Sequence, residues 1–280
     1  MHNANRLKAA AYAALACCLS MTPAAADDGQ PVSANEIVLK AENKDIGATM
    51  KADLTMRLIN GNGEERVRKM QSFRKNYGKS MKDEKNIYFF QYPQDIKDTS
   101  YLAYDWDDDT VDDDSWIYLP ALKKVKRLAQ ADKSDAFLGS DFSYTDIKTS
   151  KREYWDYTMV KQSDTFDGHD CWVVEGLPKK GREKKVLNET GYTKVHVWVR
   201  KDNFMKVKGT FWVKEGNKIK HFTASDIEKI TGIWTAKVNK IWTTKHDRVE
   251  HTTVLELTNI RYNEPVDDAF FTPQRMTRGI

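Results

Sequence analysis

The chain has 280 residues, with 45 basic and 41 acidic side chains and a formal net charge of +4. Charges of both signs are scattered along it, so the charge balance does not demand a nucleic-acid partner. A chain of this length fits a single domain if the fold is an all-β barrel or sandwich.

Residues 1–26 have the features of a secretory signal peptide. Arg6 and Lys8 precede an apolar run from Ala9 to Leu19, and Ala24 to Ala26 offer an A-x-A cleavage site. The apolar run is too short to span a bilayer, which takes about twenty such residues. The sequence therefore predicts export and removal of this segment.

Cleavage would leave residues 27–280, which we expect to form one domain with a formal charge of +2. Cys171 is then the remaining cysteine, so we expect no intramolecular disulfide. An alternative is lipid attachment at Cys17 or Cys18, although the residues before Cys17 match a lipoprotein signal poorly.

The segments that follow predict one helix and then a run of strands. Residues 34–46 have helical spacing, whereas from Thr49 the apolar side chains recur at every second position, as in a strand with one solvated face. Asn60 to Gly63 form a strong hairpin signal. About ten or eleven strands joined by short turns continue to residue 262, and short turns between neighbours predict antiparallel pairing. The pattern favours a single curled sheet.

Two segments do not follow the strand pattern. Residues 178–191 are polar and rich in Lys, which predicts a mobile loop. After Pro265, we expect Phe270 and Phe271 to pack back as an edge, and we expect residues 275–280 to be poorly ordered.

The most distinctive stretch is residues 114–146. It begins with a compact apolar strand at 115–119 and returns through a strand rich in Lys and Arg. Two short turns then follow, opened by Ser and Asp residues that can accept hydrogen bonds from free N–H groups. These turns carry Phe137, Leu138 and Phe142, and large apolar groups on such a loop usually cover an apolar surface beneath it.

The motif D-x-W-I-Y-L-P-A-L-K-K-V-K-R, followed by F-L-G-S-D-F-S-Y-T-D, resembles the signature of the outer membrane lipoprotein-sorting protein family. These are periplasmic LolA-like proteins of Gram-negative bacteria. The resemblance implies a mainly β (α+β) fold, in which a strongly curved antiparallel sheet forms a half-open barrel with short helices covering its concave side. It also implies an apolar cavity for lipid or acyl chains and an inner-membrane transporter of the RND type as partner.

The aromatic side chains can be interpreted in two ways. They can fill a sandwich core as cross-strand pairs, or one sheet face can line a cavity, because a single sheet with one short helix lacks a second layer. With the resemblance added, the predicted cavity residues are Leu54, Met56, Phe90, Trp116, Tyr118, Phe137, Leu138, Phe142, Trp155, Trp172, Trp212, Trp234 and Trp242. The predicted movable cover includes Gly139, Ser140, Asp141 and Tyr144, with Asp141 and Tyr144 positioning it through hydrogen bonds.

Motifs for metal binding or catalysis are weak. The run 105–114 contains seven Asp but lacks the Gly and terminal Glu of a calcium loop, so it reads as a solvated loop paired with the basic return strand. One alternative is weak cation binding at this run, and another is contact of the basic strand with lipid headgroups or an acidic partner. The His residues have no ligand spacing, and Cys171 lies in an apolar strand where an inert thiol is expected. We predict no metal site, no cofactor and no enzymatic activity.

The sequence thus predicts a monomeric periplasmic carrier. It would shield lipid or lipoprotein acyl chains during transport between the inner and outer membranes, and a movable cover would permit release. Alternatives are an envelope-stress sensor domain that recognises lipoproteins, which normally carries a further C-terminal domain, and an enzyme acting on envelope lipids.

Overall fold

One antiparallel sheet of thirteen strands organises the part of the chain that the structure describes. The computed structural model describes residues 32–108, 110–147, 152–214 and 217–280, so the predicted signal peptide at residues 1–26 lies outside the described residues. The strands are β1 (Thr49–Asn60), β2 (Glu65–Tyr77), β3 (Asp83–Tyr92), β4 (Ser100–Asp105), β5 (Asp114–Leu119), β6 (Lys124–Arg127), β7 (Trp155–Phe166), β8 (His169–Pro178), β9 (Tyr192–Arg200), β10 (Lys206–Val213), β11 (Lys218–Ile230), β12 (Ile233–Lys245) and β13 (Arg248–Tyr262).

The helices are short and lie outside the sheet. The α-helices are α1 (Ala34–Glu42), α2 (Glu183–Thr190) and α3 (Pro273–Met276), and single 3-10 turns occur at Pro120–Leu122, Gln130–Ser134, Phe137–Gly139, Arg152–Tyr154 and Asp268–Phe271.

The strand order is β6-β5-β4-β3-β2-β1-β13-β12-β11-β10-β9-β8-β7. The strands β1 to β6 run from the middle of the sheet to one edge, and β7 to β13 run from the other edge back to the middle. There β1 pairs with β13, and Met56 lies opposite Leu255. The predicted curved, unclosed antiparallel sheet is confirmed. The number of strands exceeds the ten or eleven expected, in part because β6 has four residues, three of them basic, and so lacks an apolar period.

Successive side chains of a strand point to opposite faces of the sheet, which defines an inner and an outer face here. On the inner face, Leu54, Met56, Met70, Phe90 and Tyr101 form a core that the segment after β6 covers. On the outer face, the cluster of β3 and β4 is covered by the C-terminal segment and consists of Ile87, Phe89, Leu102, Val266, Phe271 and Met276.

Helix α1 begins with a capping box. Ser33 Oγ accepts a hydrogen bond from the Glu36 N–H at 3.3 Å, and a Glu36 carboxylate oxygen accepts from the Ser33 N–H at 2.9 Å. Ile37, Val38 and Ala41 are buried, and the helix packs against β7 and β9. It ends at Glu42, four residues before the expected end.

The predicted loop at residues 178–191 is wrong, because helix α2 occupies most of it. Val186 is fully buried and anchors the helix beside Tyr154 and Tyr192. Gly191 ends the helix with a φ of 73°, a left-handed conformation that glycine adopts at little cost. The single apolar anchor among many Lys residues explains why the periodicity was too weak to indicate a helix.

The C-terminal segment is also more regular than expected. Phe271 is buried as predicted, but in a 3-10 turn rather than an edge strand, and helix α3 includes Arg275 and the fully buried Met276. The Met276 carbonyl accepts a hydrogen bond from Ser100 Oγ at 3.0 Å. The expectation of poor order from residue 275 is therefore wrong at Arg275 and Met276.

Candidate ligand-binding cavity

A cavity of about 810 Å³ lies on the inner face, between the sheet, helix α1 and the segment after β6. Its apolar wall comes from four adjacent strands, β9 to β12, and from β7. The side chains of this wall are Val195, Val197, Phe211, Phe222, Ile241, Trp155 and Tyr157. A volume of this size is within the range of about 300–1,000 Å³ that is common for small-molecule sites.

Gly209 makes room in this wall. It lies on the inner face of β10, opposite Val197 and Phe222 in the neighbouring strands. A Cβ atom added at this position would lie 2.6 Å from Cζ of Phe211, so a side chain here would displace that ring. The close approach of the Phe211 ring to the backbone therefore depends on glycine.

The opposite wall is polar and is formed by the end of α1 and the loop that follows it. Glu42 lies 3.5 Å from Arg152 Nε and 3.9 Å from Lys206 Nζ. Burial raises the pKa of Glu42, and the cations of Lys206 and Arg152 oppose that rise. Lys44 also lines the cavity, and burial lowers its pKa to about 8. The cavity is thus amphiphilic, with aromatic and aliphatic groups facing a charged end.

The segment of residues 128–147, called the cover segment below, closes the inner face. Its Asp141 carboxylate accepts hydrogen bonds from Thr243 Oγ1 at 2.7 Å and from Thr253 Oγ1 at 3.0 Å. At its C-terminal end, Tyr192 donates its hydroxyl to Asp146 at 2.5 Å, and Lys220 lies 3.4 Å from the same carboxylate. Polar contacts to β9, β11, β12 and β13 therefore hold the segment over the sheet.

Aromatic packing fixes the middle of the cover segment. The Phe137 ring is 1% exposed, and its centroid lies 5.4 Å from those of Tyr101 and Tyr144, with Phe90 and Tyr88 at 6.1 and 6.0 Å. Leu138 follows with a φ of 50°, a backbone conformation that residues other than glycine rarely adopt. The Leu138 carbonyl accepts a hydrogen bond from Arg68.

The structure divides the predicted cavity residues into several groups. Phe142 and Trp155 line the cavity. Leu54, Met56, Phe90, Phe137 and Leu138 belong to the adjoining inner core, together with Tyr144. In the cover segment, Gly139 has a φ of 76°, and Ser140 Oγ donates to the Phe142 carbonyl at 3.2 Å.

The other predicted residues lie elsewhere. Trp116 and Tyr118 pack into the outer cluster of β3 and β4, because their register places them beside Leu102 and Ser100. Trp172 stacks on Phe204 with ring centroids 5.5 Å apart.

Trp212, Trp234 and Trp242 lie on the outer face. Strands β10 and β12 carry large apolar groups on both faces, so the sequence alone does not reveal which face is inner. Lys194 Nζ lies 3.9 Å from the centroid of Trp212, and His221 stacks on Trp242 at 5.1 Å. In each strand the residue next to the Trp points inward: Phe211 in β10 and Ile241 in β12.

The sequence did not predict that Lys44 and Glu42 line the cavity. A charged residue near the end of a helix is ordinarily solvated, and no sequence signal distinguishes these two from such residues. The Asp-rich run behaves as expected at one point, because Arg127 of β6 pairs with Asp114 of β5. Among the described residues, no group of three or more His, Cys, Asp or Glu is placed to hold a metal ion. None of the helices within the described ranges is long and apolar enough to cross a membrane.

Solved structures resemble the chain over most of its length. A DUF1329 family protein from Desulfovibrio piger has 29% identity and a TM-score of 0.77, over 87% of this chain and 97% of that one. A protein named as an outer membrane lipoprotein-sorting protein domain, from Vibrio parahaemolyticus, has 27% identity and a TM-score of 0.76, over 88% and 98%. A LolA superfamily protein from Nitrosomonas europaea has 18% identity and a TM-score of 0.64, over 87% and 99%, and shows the fold alone. A search of curated proteins found no match.

The chain therefore has a LolA-like fold. The chain belongs to the family whose model, described as an uncharacterized protein family, matches residues 82–278, more than half of the chain. The predicted resemblance to the outer membrane lipoprotein-sorting protein family is confirmed.

Proposed function

We propose that this protein is a periplasmic carrier that shields the acyl chain of a lipid or lipoprotein in the cavity on its inner face. The observation that carries the proposal is the cavity of about 810 Å³, one wall of which consists of aromatic and aliphatic side chains. Burial of an alkyl chain gains about 0.8 kcal/mol per CH₂ group. Apolar contacts can therefore supply the free energy that binds a long acyl chain, and no reaction at the site is needed.

The class of fold and its relatives support this function. The similar protein from Vibrio parahaemolyticus is named for outer membrane lipoprotein sorting, and we extend that role to this chain. The signal-like residues 1–26 support export to the periplasm. We further propose that the carrier acts as a monomer, that an inner-membrane transporter of the RND type loads or unloads it, and that it is not an enzyme.

The function is tested by the lipid that the protein carries. The protein is purified from the bacterial periplasm, its bound small molecules are extracted, and mass spectrometry identifies them. We expect stoichiometric acyl lipid, and we expect the loaded protein to deliver it to acceptor vesicles. Protein that is free of lipid and does not bind acyl probes after delipidation would refute the proposal.

A pair of variants assigns the binding to this cavity. Val197→Trp adds a large ring to the cavity wall, and we expect the bound lipid to fall at least severalfold. The matched control is Thr223→Trp on β11, whose position next to Phe222 puts the same ring on the outer face. Equal lipid content in the two variants would place the ligand outside this cavity.

A further inference from the structure

Lys44 is a lysine in the wall of the cavity, and its ammonium is not paired with a carboxylate of the described residues. It follows α1 by two residues, and its Nζ donates a hydrogen bond to the Ala41 carbonyl at 3.3 Å. Among the described residues, no carboxylate forms an ion pair with it, whereas Glu42 is already shared by Arg152 and Lys206. A cation in this position costs solvation free energy unless another group compensates it.

The surrounding charges do not supply that compensation. Lys206 of β10 and Arg74 of β2 act on Lys44 with the same sign, against Glu42 of α1 and Glu84 of β3. The Glu84 carboxylate is taken by Arg74, at 3.5 Å. Both carboxylates that act on Lys44 are therefore paired with other cations.

Within the described ranges, five further carboxylates line the cavity, and four of them have other partners. Asp45 accepts a hydrogen bond from the Gly47 N–H at 2.8 Å, Asp146 pairs with Lys220, and Glu153 lies 3.3 Å from Arg152. Asp105 and Asp107 of the Asp-rich run also line the cavity, and Asp105 has a partner of its own. None of these five forms an ion pair with Lys44 in the part of the chain that is described.

We propose that the cavity takes an amphiphile with an anionic head, and that Lys44 binds that head while the alkyl chain lies on the wall of Val195, Val197 and Phe211. The inference rests on the proposed function and narrows its ligand class to chains that carry a carboxylate or a phosphate. An ammonium donates charge-assisted hydrogen bonds to either group. The apolar wall supplies most of the affinity, and Lys44 determines the preference for an anionic head group.

The pH dependence of binding follows from the charge of Lys44. Burial, the largest cause, lowers the pKa of Lys44 to about 8. An anionic head favours the charged form and raises this pKa, so its binding takes up a proton at pH values above about 8. The affinity for an anionic ligand is therefore constant from about neutral pH to about pH 8 and falls as the pH rises further, whereas a neutral ligand shows no such fall.

Three probes with the same alkyl chain test the inference: hexadecanoate, hexadecyl phosphate and hexadecanol. Calorimetric titration of the delipidated protein near neutral pH should give a Kd for the anionic probes that is about tenfold or more below that of the alcohol, as expected of a hydrogen bond to a charged group. The ratio of the two anionic probes distinguishes a carboxylate head from a phosphate head. Lys44→Met should abolish the preference for anions, so that the three probes bind with similar Kd values.

The matched control is Lys69→Met, which removes one positive charge from an exposed position of β2. It should keep the preference for anions. Equal affinity of the unaltered protein for all three probes would overturn the inference while leaving the carrier function intact, whereas no binding of any probe would overturn both. If Lys44→Met does not fold, the probe ratio of the unaltered protein and its loss above about pH 8 still decide the question.

Discussion

Asp141 and Thr253 exchange two hydrogen bonds across the inner face of the sheet. The Thr253 hydroxyl donates to the Asp141 carboxylate at 3.0 Å, and the Asp141 N–H donates to the same hydroxyl oxygen at 2.9 Å. Thr253 is 1% exposed, so neither contact is replaced by water if it breaks. Thr243 adds a third hydrogen bond to the carboxylate. This cluster is the polar anchor of the cover segment.

Replacement of Asp141 should loosen that anchor. Asp141→Ala leaves the buried Thr253 hydroxyl short of a partner, and we expect the free energy of unfolding to fall by about 2–3 kcal/mol. We also expect faster transfer of bound lipid to vesicles. Asp135→Ala removes an exposed carboxylate from the same segment and serves as control. Identical denaturation midpoints for the two variants would show that Asp141 does not hold the segment.

The two Phe residues of the cover segment should behave differently. Phe137 is surrounded by four rings and is part of the core, so Phe137→Ala should lower the free energy of unfolding by about 3–5 kcal/mol. Phe142 also borders the cavity, so Phe142→Ala should enlarge it and weaken lipid retention. Urea denaturation and a lipid-transfer assay measure these effects. Leu122→Ala, at a side chain that is 62% exposed, is the control for stability.

The sheet was predictable from sequence because each strand signal is local. Alternation from Thr49 onward and the turn at Asn60 to Gly63 define β1, β2 and their pairing, and the structure has both. The motif in residues 114–146 predicted the resemblance that the solved structures confirm. Such features depend on neighbours in the chain, which a single sequence displays directly.

The composition of the cavity was less predictable because it depends on which face is inner. In β12, Ile241 and Trp242 are both large and apolar, and the three-dimensional curvature alone decides that Ile241 faces the cavity. Likewise, the position of Lys44 depends on how α1 packs on β7 and β9. The charged end of the cavity thus comes from tertiary contacts that no local pattern encodes.

A side chain at Gly209 should shrink the cavity from within the sheet. Because a Cβ would lie 2.6 Å from Phe211 Cζ, Gly209→Val forces that ring toward the cavity. We expect a loss of about 1–3 kcal/mol of stability from the strain and a shift of bound lipids to shorter chains, which mass spectrometry of extracts measures. The control is Thr210→Val, which exchanges two side chains of similar shape on the outer face of β10 and should leave the lipid profile unaltered.

Alkaline unfolding should follow the buried tyrosines. Burial is the largest cause that raises the pKa of Tyr88, Tyr101, Tyr157 and Tyr192 above the ordinary value of 10.0. The folded state therefore keeps protons that the unfolded chain loses, so their contribution to stability is complete below about pH 10 and is lost as the pH rises. Lys44 has the opposite effect on the pH dependence of stability. Because its pKa is lowered on folding, the free energy of unfolding rises between about pH 8 and 10.5.

We therefore expect urea midpoints that are level up to about pH 8, rise between about pH 8 and 10 because of Lys44, and then fall steeply. The ultraviolet absorbance of phenolate should appear together with the loss of near-ultraviolet circular dichroism. In Lys44→Met, the alkaline fall should begin without any preceding rise. Phenolate absorbance from all of the tyrosines while the protein is still folded would show that these hydroxyls are accessible to solvent and would contradict the prediction.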